Sequence, residues 1–192
     1  GGGGAPATPE QIAGFCLDLQ AQGALNINLV TPTHYAPTLR RAVALARAEG
    51  LSLPALWNTS GYETVQAVRG NRGTVDAYLA DFKYADGRLA LALSGAGDYP
   101  KRALAALHAM VEEAGPVRFD EHEGQERLVG GVVVRHLLLP GHLDDSKRVV
   151  ALVHEQLGSA VRLSLMNQYT PVLATRADQG DAQARAVLAQ HP

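Results

Sequence analysis

The sequence predicts an α/β fold built on a parallel sheet, and three observations lead there. Short aliphatic, strand-like runs alternate with helical stretches along the chain, and parallel strands need crossover helices of this kind. Glycine closes the helical stretches at Gly23, Gly50, Gly70, Gly115 and Gly158, as a helix C-terminus favours. No strand is followed by the Gly-x-Gly-x-x-Gly turn that would support a doubly wound open sheet. Right-handed crossovers between neighbouring strands then curl the sheet into a barrel or part of one.

Each element has a local reason. Residues 1–7, four glycines followed by Ala-Pro-Ala, lack a basic and an apolar region, so they read as a flexible segment and not as a signal peptide. Thr8-Pro9-Glu10-Gln11 opens the first helix, with Thr8 as N-cap, Pro9 at the first helical position and Gln11 completing a capping box. Ile12, Phe15 and Leu19 supply its apolar stripe. A strand over 25–30 ends in the polar elbow Thr31-Pro32-Thr33-His34-Tyr35, and a helix follows over 37–49. The pattern repeats with a strand over 53–58, the loop Thr59-Ser60-Gly61, and a short helix over 63–69.

The strand over 75–84 is bracketed by Gly73 and Gly87 and is followed by an irregular stretch through 94–97 and a helix over 100–114. Residues 117–125 are polar and charged, a hairpin excursion. A strand over 131–139 turns at Pro140-Gly141 into a helix over 144–157; the strand over 160–166 ends in Asn167-Gln168-Tyr169, and a last helix spans 177–190. The expected organisation is a flexible segment over 1–7, a partial β/α barrel domain over 8–176 and a C-terminal helix within 177–192. A β/α barrel opens with a strand, whereas this chain opens with a helix. The first strand is therefore expected upstream of Gly1, leaving the strand over 25–30 as an edge.

Composition narrows the function classes. At 192 residues and 46% hydrophobic content the chain buries a core of ordinary size as one domain. A formal charge of −2 and a pI near 6.4 give no electrostatic reason to expect nucleic acid or an anionic membrane as partner, so small soluble ligands are the default. No apolar run approaches the roughly 20 residues of a membrane span. Cys16 is the single cysteine, which excludes a disulfide framework or a thiolate cluster within one chain and points to a reducing, cytoplasmic setting.

Every strand delivers polar residues to its C-terminal end, where β/α barrels place their chemistry. They are Thr31, Thr33 and His34; Asn58, Thr59 and Ser60; Asp81 and Lys83; Arg135, lying mid-strand, with Pro140 and Gly141 beyond; and Asn167, Gln168 and Tyr169. Side chains alternate along a strand, so Asp81 and Lys83 share one face, in line with Ala77 and Leu79, while Phe82 takes the other. Lys83 and Arg135 suit a carboxylate and Asp81 suits an ammonium, so together they fit an amino-acid-like moiety. A plain salt bridge at a strand end is the competing reading for Asp81 and Lys83. Arg135, in mid-strand, requires a partner in either case. His34, His136 and His142 suggest a metal triad, but His136 is expected to face the helices, opposite to Arg135.

The motifs at these ends carry a resemblance. Asn26-Ile27-Asn28-Leu29-Val30-Thr31-Pro32-Thr33-His34-Tyr35, Trp57-Asn58-Thr59-Ser60-Gly61-Tyr62-Glu63, residues 75–86, Ser94-Gly95-Ala96-Gly97-Asp98-Tyr99-Pro100, Val134-Arg135-His136-Leu137-Leu138-Leu139-Pro140-Gly141 and Met166-Asn167-Gln168-Tyr169 follow in order. They resemble the radical S-adenosylmethionine proteins related to pyruvate formate-lyase activating enzyme, in their PflX-like branch, from about Thr8 to Pro171. The resemblance implies a partial (β/α)6 barrel. It also implies a [4Fe–4S] cluster that reductively cleaves S-adenosylmethionine to a 5′-deoxyadenosyl radical, with a glycyl radical enzyme or another protein as partner. The family's Cys-x-x-x-Cys-x-x-Cys cluster motif does not occur here and is expected upstream of Gly1, so this chain alone is expected to be inactive.

By similarity, Asp81-x-Lys83 and Arg135 would meet the methionine end of the cofactor. Thr31, Thr33 and His34 occupy the place of a Gly-Gly-Glu-Pro motif, and Asn58 and Gln168 would meet its ribose or adenine. The alternatives are a non-catalytic relative that binds a ligand or a protein partner, and a metal-dependent β/α-barrel hydrolase resting on the histidines.

Overall fold

The computed structural model describes residues 5–168 together with 180–182, 185 and 189. The expected C-terminal helix, apart from those few positions, and Tyr169 lie outside the described residues. The chain is a mixed α/β protein on a six-stranded sheet. Its strands are β1 (Ile27–Val30), β2 (Ala55–Thr59), β3 (Ala77–Asp81), β4 (Arg118–His122), β5 (Gln125–Leu137) and β6 (Val161–Met166). Helices α1 (Pro9–Ala21), α2 (Ala36–Ala48), α3 (Val65–Arg69), α4 (Gly87–Ser94), α5 (Tyr99–Ala114) and α6 (Leu143–Leu157) connect them.

The parallel ladder runs β1, β2, β3, β5, β6, and β4 joins β5 as an antiparallel hairpin. Chain order and spatial order therefore agree along the parallel part, with no reversal of the kind that defines a doubly wound sheet. The sheet does not close: among the described residues β1 pairs only with β2, and β6 only with β5. The sequence expectation of a parallel α/β sheet with β1 at an edge is met, and the described strands form an open sheet.

One face of the sheet carries the core. Ile27, Leu29, Trp57, Tyr78, Ala80, Phe82, Val132 and Val134 alternate along their strands and pack with Val43, Ala46, Ala106, Leu107, Met110 and Val149 of the helices in a single cluster. The opposite face holds Asn28, Asn58, Leu79, Asp81, Val133 and Arg135, all at least partly exposed. Alternation along each strand thus separates an apolar helix-covered layer from a polar one, and the polar one is available to ligands.

Two elements depart from expectation. The stretch before 94, with its Leu-Ala-Leu-Ala-Leu alternation, forms α4: Asp86 caps it by accepting from the Arg88 and Leu89 amides, and Gly95 ends it in the left-handed region at φ 69°. The caps and the helix-forming Leu and Ala make a helix within a stretch that reads as irregular. The hairpin was anticipated, but β5 begins at Gln125 rather than 131. Its first half pairs with β4 and its second half with β3 and β6, the change of partner falling at Gly131. The α1 capping box forms as expected: the Gln11 amide donates to Thr8 Oγ1 at 3.3 Å and the Thr8 amide to Gln11 Oε1 at 2.9 Å.

Candidate functional site

The site is assembled where β2, β3 and β5 end on the polar face. Register places Asp81 directly beside Arg135. The Arg135 Nε donates to Asp81 Oδ1 at 2.9 Å, and its Nη2 lies 2.6 Å from the same oxygen while donating to Asn58 Oδ1 at 2.8 Å. Lys83 Nζ stands 3.9 Å from Asp81 Oδ2. The side chains of Arg135 and Asp81 are 25% and 21% exposed and that of Lys83 is 41% exposed. This is why a mid-strand arginine is tolerated: its charge is paired and its donors are partly satisfied, at a depth where an unpaired guanidinium would be costly.

The arrangement leaves chemical capacity on the open side. Asp81 engages the guanidinium through Oδ1, so Oδ2 can still accept from an ammonium. Lys83, only loosely paired and more exposed, can turn to a carboxylate. Sequence offered a simple salt bridge or a ligand site for these residues, and the structure shows a charge network with one open edge.

The elbow after β1 sits beside this network. Thr31 lies in the left-handed region at φ 51°, rare for a β-branched residue, and its amide donates to Asn58 O at 2.9 Å. A short 3-10 turn follows over Pro32–Tyr35. The Thr33 hydroxyl donates to Glu63 Oε1, to which Thr59 Oγ1 also donates at 2.7 Å. His34 is exposed and, with Thr31, lines a cleft of about 960 Å³ along the β1 edge. Gln168 is exposed beyond β6 and makes no hydrogen bond among the described residues. The structure therefore brings Asn58, Asp81, Lys83 and Arg135 together, sets Thr31 and Thr33 alongside, and leaves His34 and Gln168 apart.

The histidines do not converge. His136 is buried on the helix side, as alternation predicts, with Nδ1 2.9 Å from Phe82 O and Nε2 2.9 Å from Ser146 Oγ. Among the described residues no group of three or more His, Cys, Asp and Glu side chains is placed to hold a metal ion.

Two residues that the sequence presented only inside longer motifs turn out to hold the mouth together. Glu63 is 4% exposed and takes two hydroxyl donors, so it ties the elbow to the β2 end; no basic side chain pairs with it among the described residues. The spacing Thr59-x-x-x-Glu63 across a turn was the available signal. Tyr99, 3% exposed at the start of α5, directs its hydroxyl to the Ser60 and Asp81 carbonyls at 2.8 and 3.0 Å and accepts from the Lys83 amide at 3.0 Å. Burial pushes its phenol upward, aided by the nearby Asp81 and Tyr84, so it stays protonated.

No protein-family model matches this chain. It is similar to an uncharacterised protein of Methanocaldococcus jannaschii, 29% identical over 123 residues, which is 62% of this chain and 30% of that protein. The chain thus spans less than a third of the length of the relative it matches. No described helix is long and apolar enough to cross a membrane.

Proposed function

We propose that this chain is the S-adenosylmethionine-binding body of a radical S-adenosylmethionine enzyme of the activating-enzyme kind, its sheet forming part of a (β/α)6 barrel. The supporting observation is the Asn58–Arg135–Asp81 network with Lys83 beside it, at the C-terminal ends of adjacent parallel strands. Those groups suit a zwitterion: Asp81 Oδ2 for the amino group, and Lys83 and the outer edge of Arg135 for the carboxylate. Bound, the cofactor would supply the adenosyl group. The residues here bind and orient its methionine end.

A [4Fe–4S] cluster does not fit the residues present. Cys16 is 3% exposed inside α1 and packs in the core, and burial pushes its thiol up, away from the thiolate that ligates iron. On this reading the cluster's thiolates come from outside these 192 residues, the protein works in the cytoplasm, and its partner is a glycyl radical enzyme or another protein substrate. The same buried cysteine favours a second reading, a non-catalytic relative that binds an adenosyl or amino-acid ligand.

Calorimetry tests the binding proposal. S-adenosylmethionine and S-adenosylhomocysteine should each give saturable heat with the chain, lost in Arg135→Gln; absence of heat with both at millimolar ligand overturns it. Anaerobic reconstitution with iron and sulfide separates the redox reading from the other. A stable cluster spectrum from this chain alone would contradict the assignment of the cluster to residues elsewhere. An upstream coding sequence without three cysteines at the family spacing would leave only the non-catalytic relative.

A further inference from the structure

On the S-adenosylmethionine reading of the strand-end network, we propose that Tyr99 is a positioning residue for it, setting the bearing of Asp81 and Lys83 by replacing the sheet ladder where the ladder stops. The last ladder bond on this segment runs from the Phe82 amide to Arg135 O at 2.9 Å. One residue later the Lys83 amide points to the opposite side, where β2 has already ended at Thr59, and donates to the Tyr99 hydroxyl at 3.0 Å. The same hydroxyl carries one proton, shared between Asp81 O at 3.0 Å and Ser60 O at 2.8 Å. A single atom thus fixes the peptide units on both sides of Phe82 and pins them to the loop after β2.

The surroundings are built for that role. Gly61, at φ 78°, presses against the Asp81 carbonyl so closely that a Cβ there would collide with it. Tyr99 is locked by its neighbours: it stacks on Tyr62 with ring centroids 5.9 Å apart and meets Tyr84 edge-on at 5.5 Å and Phe82 at 6.3 Å. Phe82 points into the core while Asp81 and Lys83 point to the site, so any rotation of this backbone would swing both charged groups away from Arg135. A hydroxyl on the helix-covered side of the sheet therefore governs the geometry of charges on the other.

Tyr99→Phe keeps the ring cluster and removes only the hydroxyl. In the full chain, we expect three results. S-adenosylhomocysteine affinity should fall about tenfold. The Lys83 amide should exchange with solvent faster. The Asp81 carboxyl ¹³C resonance at neutral pH should shift, while amides of β1 and β6 keep their protection. A role confined to packing would instead change exchange uniformly and leave the Asp81 resonance in place, which overturns the proposal. Tyr62→Phe, whose lost hydroxyl bonds Asp98 at 2.6 Å outside the network, should leave the Asp81 resonance unchanged.

If neither wild type nor variant binds the ligand, the cofactor reading fails alone, because the Lys83 and Asp81 measurements still decide the positioning role. If Tyr99→Phe does not fold, the wild-type chain decides it. The Lys83 amide must be protected although it lies past the last ladder bond, and an unprotected amide there overturns the proposal.

Discussion

At the scale of single residues, what matters is how a charge is kept on a strand that is otherwise apolar. Arg135 follows Val134 and is sheltered to 25% exposure, so its stability depends on Asp81 and Asn58. Asp81→Ala leaves the guanidinium without its carboxylate and is expected to lower folding stability by about 1–3 kcal/mol, read from urea unfolding. Arg135→Gln can retain a contact to Asn58 but cannot answer the Asp81 charge. The double variant should therefore cost less than the sum of the two, and additive losses would show that the pair is not coupled.

At the scale of elements, backbone geometry sets which strands meet. Gly131 lies at φ 87° where β5 changes partner, and a Cβ there would collide with the backbone of Pro116 and Val117. Gly131→Ala combines a left-handed conformation with overpacking and should cost about 3 kcal/mol, with a lower urea midpoint and an unchanged slope. Thr8→Ala removes one arm of the α1 capping box and should cost about 1 kcal/mol. A larger loss at position 8 than at 131 would contradict the placement of the strand exchange at Gly131.

At the scale of the whole molecule, the titrating groups bound the pH range of stability. Its bond to Arg72 holds the Glu113 carboxyl below the ordinary 4.5, and its bond to Arg127 holds that of Asp120 below 3.8. The Arg88 and Leu89 amides likewise hold Asp86 below 3.8. Depressed carboxyl values mean stabilisation that is complete above the ordinary values and lost as pH falls through the lowered ones. At the alkaline end the sign is reversed. Burial raises Tyr78 from 10.0 to about 12 and raises Tyr99 as well, so their contribution is complete below pH 10 and is lost as pH climbs through the raised values. A melting-temperature profile should therefore be broad through neutrality and fall below about pH 4 and above about pH 10. A profile still rising above pH 10 would contradict the burial of the two phenols.

Local rules made much of this molecule legible from residues alone. The capping box at Thr8, the glycine helix ends, the run of parallel strands and the opposite facings of Arg135 and His136 all follow from short-range chemistry and side-chain alternation. The stretch that reads as irregular before Gly97 is in part the helix α4, set by the Asp86 cap and the Gly95 turn at its ends. Type and sharing of polar residues at strand ends were readable, but their partners were not. Whether Asp81 met Lys83, Arg135 or both depended on register between segments 54 residues apart. Likewise only tertiary packing brings the Tyr99 hydroxyl to the Lys83 amide, or Glu63 to Thr33. The sequence by itself determined the parallel α/β class and the set of strand-end groups, because periodicity and capping act over a few residues. Which of those groups form one network, that the described sheet stays open, and which buried side chains aim the network were decided by tertiary structure, because they depend on contacts that no short-range pattern encodes.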